Sequence, residues 1–397
     1  MKIILLAADF PPCLGGIQQY VASLAKALAN AGADMHVVAT AQPHSQQFDA
    51  EASYEVLRVA GGGKRQVWQQ MEAAAVELAG GSAETAVVAT KWFPEGPAAL
   101  QAARSIGGVS AMIGYDREFA LHGLNLVKWG MQKHVLGNCD IIFAISGFTV
   151  KQLRKMGVAR VNIYQLGTGL DAEQFYPDIE GAEKLRKQLG LEDARVICSV
   201  SRLAAHKGHR YVLEALPIVA EEVPEVKYVI VGEGPYRRRL EKYARAYKVE
   251  ERVVSAGQVP LEQLRQFYSM AEVMILTSFD LLGHPTEGFG LSFLEANACG
   301  TPVIGTRTGG IPEAVADRES GLLVPPRDTE AVANALIRLL EDRDYAEMLG
   351  KLGRRRAIDD FSWASVARRL MNGLETVAPS PPAPLPAGEG QRPRAGS

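Results

Sequence analysis

The sequence predicts an α/β protein made of two doubly wound, Rossmann-like domains whose parallel sheets face a central cleft. Three observations carry that reading. Short apolar runs alternate with longer segments of helical period, the pattern of parallel strands buried on both faces. The pattern restarts after a stretch at 167–194 rich in Gly, Asp and Pro. A chain of 397 residues is too long for one ordinary core and suits two.

The elements follow in order. Residues 2–8 read as a buried strand, ended by Asp9 and Pro11-Pro12. A helix begins near Gly16, with Ile17, Tyr20, Val21, Leu24 and Leu28 on one face and Gly32 as its stop. Further strands are expected at 35–40, 86–90, 109–113, 139–146 and 161–166, then at 195–201, 227–232, 253–257, 272–278 and 302–306. The expected divisions are an N-terminal domain at 1–170, a C-terminal domain at 171–362 and a helix at 363–377 returning to the first domain. From Ala378 to Ser397 the chain is Pro, Ala and Gly with scattered charge, too poor in apolar groups to order itself.

Composition removes several classes. A formal charge of −2 gives no global pull towards nucleic acid. Cys13, Cys139, Cys198 and Cys299 lie far apart with no CxxC spacing, so neither a zinc site nor a disulfide framework is indicated, and a reducing cytoplasm fits. The opening apolar run is too short for a signal peptide, and no run of about 18 apolar residues occurs to span a membrane.

Four constellations carry chemistry, each just after an expected strand, where doubly wound sheets bind ligands. In Asp9-Phe10-Pro11-Pro12-Cys13-Leu14-Gly15-Gly16-Ile17, paired glycines let backbone N–H groups approach a phosphate at a helix start. A tight strand–helix turn explains the same residues, and the spacing is not GxGxxG. Arg202 and Lys207 place two cations at another helix start, where a bound anion would relieve their conflict with the helix dipole. The alternative is a pair of solvated charges.

The stretch Glu287-Gly288-Phe289-Gly290-Leu291-Ser292-Phe293-Leu294-Glu295 pairs backbone donors with two carboxylates able to accept from hydroxyls at two places on one ligand. Glu295 shares a face with Leu291, Leu294 and Ala298, where an unpaired carboxylate is costly, so Arg202 or Arg307 is the alternative partner. Thr308-Gly309-Gly310-Ile311-Pro312-Glu313 is either a further ligand turn or a structural loop. Gly232, closing the strand 227–232, joins the donor-side glycines. Asp342-Arg343-Asp344 matches a DxD metal motif but lies between two helices, far from a strand end, and reads as a surface turn.

Together, Glu287-x7-Glu295, the Arg202/Lys207 pair, Gly15-Gly16 and Gly309-Gly310-Ile311-Pro312-Glu313 resemble the family 4 retaining glycosyltransferases of the GT-B fold, from Met1 to about Met371. The resemblance implies roles. Arg202 and Lys207 would bind and neutralise the departing pyrophosphate of a nucleotide-sugar, Glu287 would hold sugar hydroxyls and Glu295 the ribose. Backbone groups at Gly288, Phe289, Gly290, Leu291 and Gly16 would steady the sugar and phosphate. It implies no cofactor and no metal, since fixed cations replace it. The family's His-Gly-x-Asp/Glu pattern reads Ile113-Gly114-Tyr115-Asp116 here; Asp116 or Glu118 is then the candidate for that sugar contact, with His122 nearby but not equivalent.

The opening motif looks closest to bacterial lipid mannosyltransferases, favouring GDP-mannose over UDP-glucose and UDP-N-acetylglucosamine. The expected acceptor is lipid-linked or an oligosaccharide. Residues 119–136, with Val127 and Trp129 among Lys128, Lys133 and His134, suit either peripheral contact with anionic lipid at the inner face of the cell membrane or an ordinary solvated helix. Arg237-Arg238-Arg239 reads as a solvated helix face. An epimerase would need acid/base carboxylates and His in the cleft, and a phosphorylase a lysine-bound cofactor; neither set is visible. A sugar-nucleotide-binding scaffold without turnover is the non-enzyme alternative that the Ile113 departure leaves open.

Overall fold

A computed structural model describes residues 1–13, 16–115, 126–158, 162–280 and 287–377. Its first half runs β1 (Lys2–Ala7), α1 (Gly16–Asn30), β2 (Asp34–Thr40), α2 (Ser45–Glu51), β3 (Glu55–Val59), α3 (Lys64–Ala79), β4 (Thr85–Ala89), α4 (Glu95–Ile106), β5 (Val109–Gly114), α5 (Leu126–Asn138), β6 (Ile141–Ala144), α6 (Gly147–Lys155) and β7 (Asn162–Gln165). The second runs α7 (Ile179–Leu189), β8 (Arg195–Val200), α8 (His209–Glu222), β9 (Val226–Val231), α9 (Arg237–Ala246), β10 (Val253–Gly257), α10 (Leu264–Ser269), β11 (Val273–Ile275), α11 (Leu291–Ala298), β12 (Val303–Thr306), α12 (Ile311–Ala314), β13 (Gly321–Val324), α13 (Thr329–Glu341), α14 (Arg343–Asp360) and α15 (Trp363–Glu375).

Two parallel sheets result, ordered β3-β2-β1-β4-β5-β6-β7 and β10-β9-β8-β11-β12-β13. In each, the order reverses beside the first strand, so the carboxyl ends of β1 and β4, and of β8 and β11, open the crevices where such sheets take ligands. The central strands are apolar on both faces because helices cover both. Ile3, Leu5 and Ala7 pack with α1 and α15, while Ile4 and Leu6 pack with α3 and α4.

Expected strands match observed ones to within a few residues, except that 272–278 shortens to β11, and β3 and β13 are additional. Both additions sit at sheet edges, where one side of the strand lacks a neighbour. β3 reads Glu-Val-Leu-Arg-Val and stays half-buried or exposed throughout, so it shows no apolar run. β13 has four residues, too few for a period.

The chain passes between the sheets twice. At the first passage Leu170 N–H donates to Phe361 O across 2.6 Å, so the two connecting segments lie side by side. After the second, α15 buries Val366, Ala367, Leu370 and Leu374 in the core of the first sheet, and Arg369 Nε donates to Leu166 O at 2.7 Å. Asp342 accepts from Tyr345 N–H at 3.0 Å, so the first carboxylate of Asp342-Arg343-Asp344 caps α14.

Candidate active site

The loop after β8 carries Arg202 and Lys207. Gly208 closes it, with φ of 77° and Thr277 O at 1.9 Å from where a Cβ would stand, so only glycine lets this loop lie against the end of β11. That approach brings together two residues eighty positions apart. Lys207 Nζ lies 2.5 Å from Glu287 Oε2, with side chains 18% and 12% exposed. Ser278 Oγ lies 3.5 Å from the same oxygen. Arg202 is exposed and makes no side-chain ion pair among the described residues, leaving its five donors for an anion.

A buried polar chain supports this loop from below. Ser201 Oγ is 2.9 Å from His209 Nε2, whose Nδ1 is 2.8 Å from Tyr228 Oη, itself 2.8 Å from Ser199 Oγ. Burial, then the charge of Lys207, pushes His209 down to about 3, so its ring stays neutral and adds no charge behind Arg202. Neither His209 nor Tyr228 draws notice in the sequence, because each sits within an otherwise ordinary helix or strand. Gly232 has no room for a Cβ, with Ser201 O at 2.0 Å, and thereby lets the end of β9 support the same loop.

The second sequence motif forms the adjoining wall. Gly290, at φ 96°, opens α11 and leaves the first N–H groups of that helix free of a side-chain cap. Phe289 is 5% exposed and packs edge-on against Phe361, so its backbone is what it offers a ligand. Leu291, the first residue of α11, is half-buried. Glu295 finds neither Arg202 nor Arg307: Tyr268 Oη donates to its Oε2 at 2.6 Å, and Arg307 pairs with Asp317. Burial holds the Glu295 carboxyl above the usual range and the Tyr268 bond opposes that shift.

The turn at Gly309-Gly310 rests directly on the backbone of the first glutamate of that motif and of the glycine after it. Gly310 N–H donates to Glu287 O at 3.0 Å. A Cβ on Gly310 would stand 1.9 Å from Gly288 O, and one on Gly309 2.1 Å from Glu287 O. These glycines therefore set where Glu287 sits.

On the first domain, the segment after β1 is held from two sides. Arg58, paired with Asp49 at 2.7 Å, donates to Pro11 O at 2.6 Å. Ala8 N–H donates to Glu95 Oε1 at 2.9 Å, and Lys91 pairs with Asp9. Gly16 begins α1 exposed, with nothing among the described residues within 4 Å of a Cβ position. Gly15, Asp116, Glu118 and His122 lie outside the described residues. Ile113 is fully buried in the core shared with α1 and α15, so the side chain at 113 does not reach the cleft.

Glu95 has a measurable consequence. It is fully buried, its Oε2 has no hydrogen-bond partner among the described residues, and burial pushes it up from 4.5 to about 7. A raised carboxyl stabilises the fold below the unfolded value and loses that contribution as pH climbs from 4.5 towards 7. Glu95→Gln keeps the oxygen that Ala8 uses and removes the charge. It is expected to raise stability at pH 8 by up to about 3 kcal/mol and to leave stability at pH 4 nearly unchanged, read by urea unfolding at both pH values.

Comparison with known proteins agrees with this geometry. A family model described as Glycosyl transferases group 1 matches residues 181–356, and one described as Glycosyltransferase Family 4 matches residues 14–174. A GDP-mannose-dependent alpha-(1-6)-phosphatidylinositol monomannoside mannosyltransferase of Mycobacterium tuberculosis is 30% identical, covering 94% of this chain and 98% of its own. Among solved structures, sucrose-phosphate synthase from Thermosynechococcus elongatus superposes with TM-score 0.77 at 25% identity, covering 94% and 98% of the two chains. Anabaena Alr3699/HepE, solved with UDP-glucose, superposes at 0.78 with 20% identity, covering 95% and 100%. Fold and site together define a glycosyltransferase with two Rossmann-like domains. The chain belongs to the group 1, family 4 glycosyltransferases.

Proposed function

We propose that this glycosyltransferase moves mannose from GDP-mannose to a phosphoinositol-lipid acceptor with retention at the anomeric carbon. The observation that carries the reading is the Lys207–Glu287 pair at the crevice between β8 and β11, with an exposed Arg202 on the same loop as Lys207 that makes no ion pair among the described residues. Breaking the bond between sugar C1 and phosphate moves an electron pair onto a diphosphate oxygen, and two fixed cations stabilise the charge that grows there. Glu287 accepts from sugar hydroxyls, and Glu295, oriented by Tyr268, from the ribose. The acceptor hydroxyl bonds to C1 on the face the phosphate leaves, and its proton passes to the departing phosphate oxygen. A further sugar contact is assigned to Asp116 from its place in the sequence alone.

The donor and acceptor follow from the mycobacterial relative's printed activity and near full-length match. Peripheral attachment to anionic membrane fits α5, where Val127 is 78% exposed and Lys133 Nζ stands 4.1 Å over the Trp129 ring. No helix among the described residues is long and apolar enough to cross a membrane.

A nucleotide-sugar panel followed by thermal unfolding tests the donor. GDP-mannose at about 100 times its dissociation constant is expected to add about 2.7 kcal/mol of stability, and labelled mannose to enter the lipid fraction. A shift with UDP-glucose or UDP-N-acetylglucosamine but none with GDP-mannose would overturn the donor assignment; label confined to water-soluble glycan would overturn the acceptor.

A further inference from the structure

Glu313 follows the Gly309-Gly310 turn of the second domain, yet its carboxylate is bound by the first. Gly147 N–H donates to Oε2 at 2.8 Å and Phe148 N–H to Oε1 at 2.7 Å, with Gln165 Nε2 at 3.2 Å from Oε2. Gly147 and Phe148 are the first two residues of α6, and Ser146 Oγ takes the third N–H, from Thr149, at 3.0 Å. A helix start thus fills two of its four orphan donors with a carboxylate 165 residues away.

The other end of the connection is equally well held. Arg356 donates to Glu313 O at 2.7 Å and Ala314 O at 2.6 Å, fixing α12. Ahead of it, the two glycines rest on the Glu287 and Gly288 backbone. From α6 to Lys207 the path is one carboxylate, one tight turn and one ion pair, with no long side chain besides the three charged ones, Glu313, Glu287 and Lys207.

We infer that Glu313 is a positioning residue, a latch between the domains that ties the placement of α6 to the placement of Glu287. The domains are set by it so that a donor held at Arg202, Lys207 and Glu287 meets the acceptor wall. The catalytic consequence rests on the donor reading above, whereas the latch itself can be judged without any donor.

Amide exchange on peptides spanning 145–150, read by mass spectrometry on the full chain, is the test. In the unaltered protein without donor, these amides are expected to exchange at least tenfold more slowly than in Glu313→Gln, which keeps the shape but not the charge. Glu313→Gln is further expected to lower kcat at least tenfold while donor affinity changes less than threefold. Ser146→Ala, which removes a cap bond lying wholly within the first domain, is expected to leave kcat within threefold. Three results would overturn the latch: rapid exchange at 145–150 in the unaltered protein, kcat and exchange both unmoved in Glu313→Gln, or an equal loss of kcat in Ser146→Ala. A glutamine variant that fails to fold leaves the first of these as the deciding measurement. If no nucleotide-sugar binds the unaltered protein, the donor reading fails and the exchange result still decides the latch.

Discussion

Lys207→Ala is expected to lower kcat by about two to three orders of magnitude and to abolish stabilisation by the nucleotide-sugar donor. Two separate effects are contained in that one substitution. The first is loss of a positive charge where the diphosphate departs. The second is the stranding of Glu287, which at 12% exposure has little water to replace its partner. Removing one member of such a pair costs about 3 kcal/mol, because the remaining charge is left uncompensated.

A second substitution separates the two. Lys207→Ala combined with Glu287→Gln removes both charges and is expected to regain most of the lost stability and none of the lost rate. Arg202→Ala gives the complementary result, because Arg202 is exposed and makes no ion pair among the described residues: a comparable fall in kcat with almost no change in melting temperature. Steady-state kinetics and thermal unfolding on the three variants read all of this. Near-normal kcat in Lys207→Ala would remove the lysine from the chemistry and leave the ion pair as a structural feature.

Gly310→Ala carries the second large effect. Gly310 has φ of −89°, a conformation any residue adopts, so no backbone strain is introduced. The cost is steric alone: the new methyl would stand 1.9 Å from Gly288 O and 2.6 Å from its carbon. Backbone, unlike the end of a side chain, cannot step aside without moving Glu287. A destabilisation of about 3 kcal/mol and at least a tenfold loss of activity are expected. Gly61→Ala, with nothing within 4 Å of its Cβ position, is the matched control and is expected to be silent. Equal behaviour of the two variants would show that the turn does not rest on the Glu287 loop.

These outcomes bear on how far the site can be read from residues in a line. That Arg202 and Lys207 follow a strand, and that Glu287 precedes and Glu295 lies within the helix that comes after another, is visible in the alternation of apolar runs. That Lys207 and Glu287 touch is not, since it depends on β8 and β11 being neighbours although β9 and β10 come between them in the chain. The partner of Glu295 was equally hidden. Tyr268 reads as one more apolar residue in a helix, and only the fold turns its hydroxyl onto the carboxylate. Glu313 is the extreme case: besides Gln165, its partners are backbone N–H groups, which every residue but proline has and no side-chain pattern marks.

The edges of the sheets tell the same story from the side of packing. Central strands such as Ile3 to Ala7 need apolar residues at every position because helices lie on both faces, so they stand out in composition. β3 is half-buried to exposed, with neither an apolar run nor a strict alternation, so nothing local separates it from a loop.

By itself, then, the sequence determined what depends on neighbours along the chain: the alternation that makes parallel sheets, the glycines that end or open helices, and the cations and carboxylates set at strand ends. The tertiary structure alone decided which of those groups meet. Lys207 reached Glu287, Tyr268 reached Glu295, and Gly309-Gly310 came to rest on the Glu287 loop. The reason is physical: periodicity and capping act over a turn or two of chain, whereas ion pairing and close backbone contact act through space and depend on strand order.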